Sequence, residues 1–171
     1  KGRIAELEGE QVKVSAILKS MAEGVIAVDD SKRILLVNPA AESIFGIQAL
    51  IYIYLNNNDG EPVSPKTIAK DLNLSQSYMG KITRQLTKAN ILRSYHGAKG
   101  GVALNQAAKE ITLLAIVEAF QGFIIGNHCQ QTSHHPKPVC SFHEAMLEIH
   151  QSVIQILSKW TLHDLALRPG P

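Results

Sequence analysis

The stretch PVSPKTIAKDLNLSQSYMGKITRQLTKANILRSYHGAKGGVALN, Pro62 to Asn105, decides the architecture of this chain. Ser64-Pro65 is a helix start, a hydroxyl able to cap and a proline at the first helical position, where its missing N–H costs nothing. PKTIAKDL follows as a short helix, Asn73-Leu74-Ser75 turns the chain, and SQSYMGKITRQLTKAN reads as a second helix. Ile68, Ala69, Leu72, Leu74, Ile82 and Leu86 fall where two such helices must interlock, leaving Gln76, Ser77, Lys81, Arg84 and Gln85 outward. Ile91-Leu92-Arg93-Ser94 then reads as a strand, HGAKGG as a tight turn and Val102-Ala103-Leu104 as the returning strand. The pattern predicts a helix-turn-helix followed by a β-wing.

Charge sharpens this reading. Between residues 62 and 104 stand Lys66, Lys70, Lys81, Arg84, Lys88, Arg93 and Lys99 against the single acid Asp71, an excess of six, while the whole chain carries only +2. A local cationic surplus is what a phosphate-facing surface requires, because each neutralised phosphate releases condensed counterions. A helix about 10 Å across fits the roughly 12 Å major groove, and a thin ribbon can follow the adjacent minor groove. The expected DNA contacts are Lys66, then Ser75, Gln76, Ser77 and Tyr78 at the start of the second helix, Lys81, Arg84 and Gln85 one turn on, and Arg93, His96 and Lys99 on the wing. Gly80 costs its helix about 1 kcal/mol relative to alanine, which fits either a close backbone approach or an indifferent exposed position. Gly97, Gly100 and Gly101 are expected to supply positive φ at the wing tip.

Upstream, Ile4, Leu7, Val14, Ile17, Leu18 and Met21 recur at helical spacing, and GVIAVDDSKRILLVN reads as a hairpin around Asp29-Asp30-Ser31. Asn38-Pro39 caps a further helix running to about Asn57, with Ile44, Ile47, Leu50, Ile51, Tyr54 and Leu55 as its apolar face. The stretch ILKSMAEGVIAVDDSKRILLVNPAAESIFGI resembles the opening of a PAS sensor domain, with the signalling helix that precedes it. Only the first third of such a domain has a counterpart, so no ligand is assigned to it, and the hairpin is expected either to pack on something else or to be partly mobile. A fusion junction near Gly46 is expected, because the segment that follows resembles an unrelated family.

Downstream come a helix, ITLLAIVEAFQG, a loop from Phe123 to Val139, and a long helix from Ser141 to about Lys159 with a seam of Phe142, Met146, Ile149, Val153, Ile156 and Leu157. TLHDLAL adds a last short helix. The expected division is 1–46, a partial PAS-like helix and hairpin; 47–122, a winged-helix domain; 123–140, a Cys/His loop; and 141–171, a dimerisation helix and tail. With 45% hydrophobic and 19% charged residues the chain falls in the ordinary globular range. No apolar run approaches the roughly 20 residues of a membrane span, and KGRIAELEGE lacks the features of a secretory signal, so a cytoplasmic setting is expected. Cys129 and Cys140, eleven positions apart beside several histidines, then point to metal or redox chemistry before a structural disulfide.

From about Ile47 to Leu167 the order of elements resembles the Rrf-two family of bacterial regulators. The marks are QALIYIYL, the helix-turn-helix quoted above, HGAKGGVALNQAAKEITLLAIVEAFQG, and Cys140-Ser-Phe-His143 before the long helix and TLHDLAL. The resemblance implies a mainly α winged-helix fold, transcription regulation by sequence-specific DNA binding, a homodimer joined through the long helices, and a palindromic operator. It also implies a sensor loop for redox state, iron–sulfur status or nitric oxide. That family often holds an iron–sulfur cluster on three cysteines, the last followed three residues later by histidine. Cys129, Cys140 and His143 match this pattern, while the middle cysteine is missing and His134 or His135 stands near its place. Two thiolates and two imidazoles could hold zinc or a two-iron cluster with mixed ligation; the loop could instead be metal-free, or the thiols could pair if their Cα atoms approach to about 6 Å. No nucleophile with a base, phosphate loop or paired carboxylates is evident, so an enzyme is not expected. Alternatives are a metal-free regulator answering a small molecule or partner protein, and a signalling fusion built on the PAS-like fragment.

Overall fold

The computed structural model describes residues 21, 23–30, 34–56, 61–97, 100–122 and 141–167. The amphipathic stripe from Ile4 to Leu18, the loop from Phe123 to Val139, Lys99, Cys129, His134, His135 and Cys140 lie outside the described residues.

Strands β1 (Ile26–Val28) and β2 (Ile34–Val37) form the expected antiparallel hairpin, with an irregularity between Ala27 and Val28. Helix α1 (Pro39–Asn56) follows. The hairpin is tied to it by Asn38, whose Oδ1 accepts from the Val25 and Ala41 amides (2.8 and 3.0 Å) and whose Nδ2 donates to the Glu23 carbonyl (2.8 Å). One buried side chain thus caps the helix and holds the hairpin's base. Of the apolar face expected for α1, Leu50 is buried and Ile47, Ile51 and Tyr54 pack half-buried against the core, but Ile44 and Leu55 are exposed, and Glu42, Gly46, Ala49 and Ile53 are buried besides. The buried stripe uses small residues because α4 lies close. A Cβ at Gly46 would sit 2.3 Å from the Phe120 ring. Close packing shifts the buried face away from Ile44 and Leu55, the two large side chains at its margins.

Helices α2 (Pro65–Asp71) and α3 (Gln76–Lys88) make the helix-turn-helix. Ser64 and Ser75 cap them, each accepting from a backbone amide two or three residues on, and Asn73 turns between them with φ 54°, a left-handed conformation that asparagine tolerates. Ile68, Met79, Ile82 and Leu86 are fully buried, as expected apart from Met79, which the interlock pattern had not included. Strands β3 (Leu92–Tyr95) and β4 (Gly101–Leu104) pair antiparallel as the wing, and Val63 bridges to Val102 to extend its base. Of the wing glycines only Gly97 has positive φ (106°). Gly100 and Gly101 are required for a different reason: a Cβ on either would meet backbone oxygen at 2.7 or 2.6 Å.

Helix α4 (Leu113–Gln121) packs across α1, α5 (Ser141–Lys159) is the expected long helix, and α6 (Leu162–Leu167) returns to the core. The Leu113 amide bonds to the Trp160 carbonyl and the Leu162 amide to the Ile111 carbonyl, both at 2.8 Å, while the Tyr54 hydroxyl meets His163 Nδ1 at 2.8 Å. A single cluster containing Leu50, Ile53, Ile82, Leu92, Ile116 and Leu162 joins these elements. Helix α5 contributes little to it: Leu147, Ile149, Val153 and Ile156 are exposed at 42%, 55%, 37% and 59%.

Candidate nucleic-acid interface

Helix α3 presents its polar side away from the core. Gln76, Ser77, Arg84 and Lys88 are exposed, as are Lys66 on α2 and Arg93 and His96 on the wing. Ser75 is exposed too, but its hydroxyl accepts from the Tyr78 amide at 3.1 Å, so its role is to fix the helix start. Between α3 and the wing lies a groove of about 720 Å³, lined by Gly80, Thr83, Arg84, Thr87, Lys88, Ser94 and Tyr95 among others. Thr83 Oγ1 donates to the Met79 carbonyl (3.0 Å) and Thr87 Oγ1 to that of Thr83 (2.8 Å), which turns both hydroxyls back onto the helix beside the exposed Arg84 and Lys88. Lys88 belongs with Arg84 here and was not among the expected contacts. Its position one turn after Arg84 was the available signal. A Cβ at Gly80 would meet nothing within 4 Å, so packing inside the protein does not require this glycine. On the wing, Arg93 stacks over the Tyr95 ring at 5.3 Å, an arrangement that holds the guanidinium at the surface.

Three expected contacts need correction. Tyr78 turns inward: its ring meets Phe45 edge-on at 5.7 Å, and its hydroxyl is buried. Burial, reinforced by the Glu42 carboxylate, raises the Tyr78 phenol well above its ordinary range, so it stays protonated. Gln85 is half-buried with its Oε1 sealed from solvent. Lys81 is exposed, yet its Nζ is ion-paired with Glu42 of α1, a residue only 5% exposed. The carboxylate is buried while the ammonium is more than half exposed, so water screens part of the attraction and the pair chiefly satisfies Glu42. Glu42 was missed, although it is the one acid in α1 and stands on the stripe 42, 46, 49, 53 at helical spacing. Asp71, the single acid of the cationic block, accepts from the Tyr52 hydroxyl at 2.5 Å, and that hydrogen bond, with burial and the Asp71 charge, raises the tyrosine's pKa.

Of the metal candidates, Cys129, His134, His135 and Cys140 lie outside the described residues, and only the backbone of His143, in the first turn of α5, is described. Among the described residues no group of three or more His, Cys, Asp or Glu is placed to hold a metal ion.

Two short helices with a cationic outward side, next to a two-stranded wing on the same side, define a winged-helix DNA-binding protein. A family model described as an iron-dependent transcriptional regulator, Rrf2, matches residues 41–168. The chain belongs to the Rrf2 family, whose members are DNA-binding transcription regulators and not enzymes, and generally act as dimers. A PAS-fold model matches residues 13–50. Among solved structures, CymR of B. subtilis, the global cysteine regulator, is similar at 26% identity and TM-score 0.61, over 75% of this chain and 95% of that one. Staphylococcus aureus CymR is similar at 26% identity and TM-score 0.55, over 74% and 95%. T. potens IscR shares the fold at 22% identity and TM-score 0.58, over 75% and 85%. Among the described residues no helix is long and apolar enough to cross a membrane.

Proposed function

We propose that this regulator reads a palindromic operator as a homodimer, with Gln76, Ser77, Arg84 and Lys88 entering the major groove and Lys66, Arg93 and His96 on flanking phosphates. The observation that carries the reading is the groove between α3 and the wing, whose floor holds Arg84 and Lys88 while the hydroxyls beside them are turned inward. The start of α3 also offers its first backbone amides to phosphate, because Ser75 satisfies that of Tyr78 alone. Arg84→Ala is expected to weaken operator binding by about 1–3 kcal/mol and relax specificity at one base pair, and Lys66→Ala to weaken all sequences evenly. Operator and random-duplex titrations of both variants check this, and unchanged binding by both removes the assigned surface. The dimer contact is assigned to the apolar side of α5, which a single chain leaves in water.

The signal is assigned to the segment carrying Cys129 and Cys140, with His134, His135 and His143. The thiolates and imidazoles of this segment suit zinc or an iron–sulfur cluster with mixed ligation, and the family description is iron-dependent. Chain purified without oxygen is expected to show visible absorption and stoichiometric iron. A colourless, metal-free protein that still shifts DNA turns the reading toward thiol redox or a small-molecule signal. As a regulator of bacterial transcription the protein is placed in the cytoplasm.

A further inference from the structure

Lys81 stands on the exposed side of the reading helix but does not behave as its neighbours do. Among the described residues it is the one cation of the 62–104 block held in an ion pair. Its partner reaches it from outside the helix-turn-helix: Glu42 sits in the first turn of α1, with a side chain 7% exposed against 56% for Lys81. A carboxylate so far removed from water depends on its counter-charge much more than an exposed phosphate contact depends on one more lysine. The position of Glu42 is itself fixed. Its amide donates to the Asn38 carbonyl at 3.0 Å, and Asn38 is fastened to Val25 and Glu23 at the base of the hairpin. Phe45, one turn further along α1, meets the Tyr78 ring from α3.

We infer that Glu42 is a positioning residue for DNA binding: it retains the Lys81 ammonium against α1, withholding one cation from the duplex and fastening the first half of α3 to the N-terminal segment. The chain therefore binds DNA with one phosphate contact fewer than the charge of α3 allows, and the seating of the hairpin on Asn38 bears on that contact. This inference rests on the reading that α3 faces the duplex.

The test uses the full chain and a labelled random-sequence duplex, with affinity followed by anisotropy across a salt series. Glu42→Gln is expected to bind about fivefold tighter at about 0.1 M salt and to steepen the log–log salt slope by about 0.9, the signature of one added phosphate contact. In a Lys81→Gln background the same change is expected to alter neither quantity. A gain that persists in that background acts through general charge and overturns the proposal. Weaker binding with an unchanged slope makes Glu42 a mere strut and overturns it as well. Where Glu42→Gln lacks a cooperative melt, Glu42→Asp, with its charge on a shorter stem, is read in the same way. Arg84→Ala is the control: if it binds as the wild type does, the reading of α3 fails and this inference with it. If it weakens binding while Glu42→Gln changes nothing, only the Glu42 proposal falls.

Discussion

The helix-turn-helix and the long helix α5 place their apolar sides in opposite surroundings. In α3 the apolar side, Met79, Ile82 and Leu86, is fully covered by its own chain and the polar side is offered outward. In α5 it is Ile149, Val153 and Ile156 that face water, and the chain's own core is built without them. The first unit is complete as a monomer and incomplete without DNA. The second leaves an apolar side uncovered within one chain, the side to which the dimer contact is assigned. A fold can thus settle its interior in one copy and leave its assembly to be settled by concentration.

Two experiments press on this contrast. The larger effect is expected from a pair of variants measured together. Ile82→Ala removes fully buried methyl groups and is expected to cost about 2–5 kcal/mol at every protein concentration. Ile149→Asp with Ile156→Asp is expected to leave the winged-helix unit folded, abolish the dimer in sedimentation, and remove the dependence of the melting temperature on concentration. Should the α5 variant stay dimeric, the seam lies elsewhere; should Ile82→Ala be harmless, the core has been misassigned. The smaller effect is at Gly80. Because nothing in the protein lies within 4 Å of an added Cβ, Gly80→Ala is expected to stabilise the helix by about 1 kcal/mol, visible as a higher melting temperature. If the duplex backbone comes close to α3 at this point, the same variant loses DNA affinity as it gains stability. A gain in stability with unaltered affinity makes the glycine indifferent.

The legible parts of this molecule were those in which local chemistry and tertiary packing agree. Ser64-Pro65, Asn73 and Ser75 mark helix ends by capping and turn chemistry that needs no partner from elsewhere, and the observed boundaries follow them. The interlock of Ile68, Ile82 and Leu86 is equally local, since two helices joined by a tight turn have one way to bury those residues. Where distant elements approach closely, the pattern misled. Size suggested that Ile44 and Leu55 lie on the buried face of α1, but the neighbouring α4 selects Gly46 and Ala49. The separate approach of α3 to α1 hid Glu42, whose partner is 39 residues away, and turned Tyr78 from an expected DNA contact into packing against Phe45. The cationic surface itself was readable because charge is counted along the chain. Which cation is already engaged was not, because that depends on three-dimensional neighbours.

Helix α1 runs unbroken from Pro39 to Asn56 through the 46/47 boundary drawn from sequence, and the PAS-fold and Rrf2 matches overlap within it. Eighteen residues at 1.5 Å each make a rod about 27 Å long with no hinge between the two segments. The hairpin is therefore joined to the core by a stiff shaft and not by a flexible tether. The register between the two parts is consequently set by helical phase: inserting a single residue into α1 would swing the upstream part by about 100° around the shaft, whereas inserting seven would nearly restore its heading.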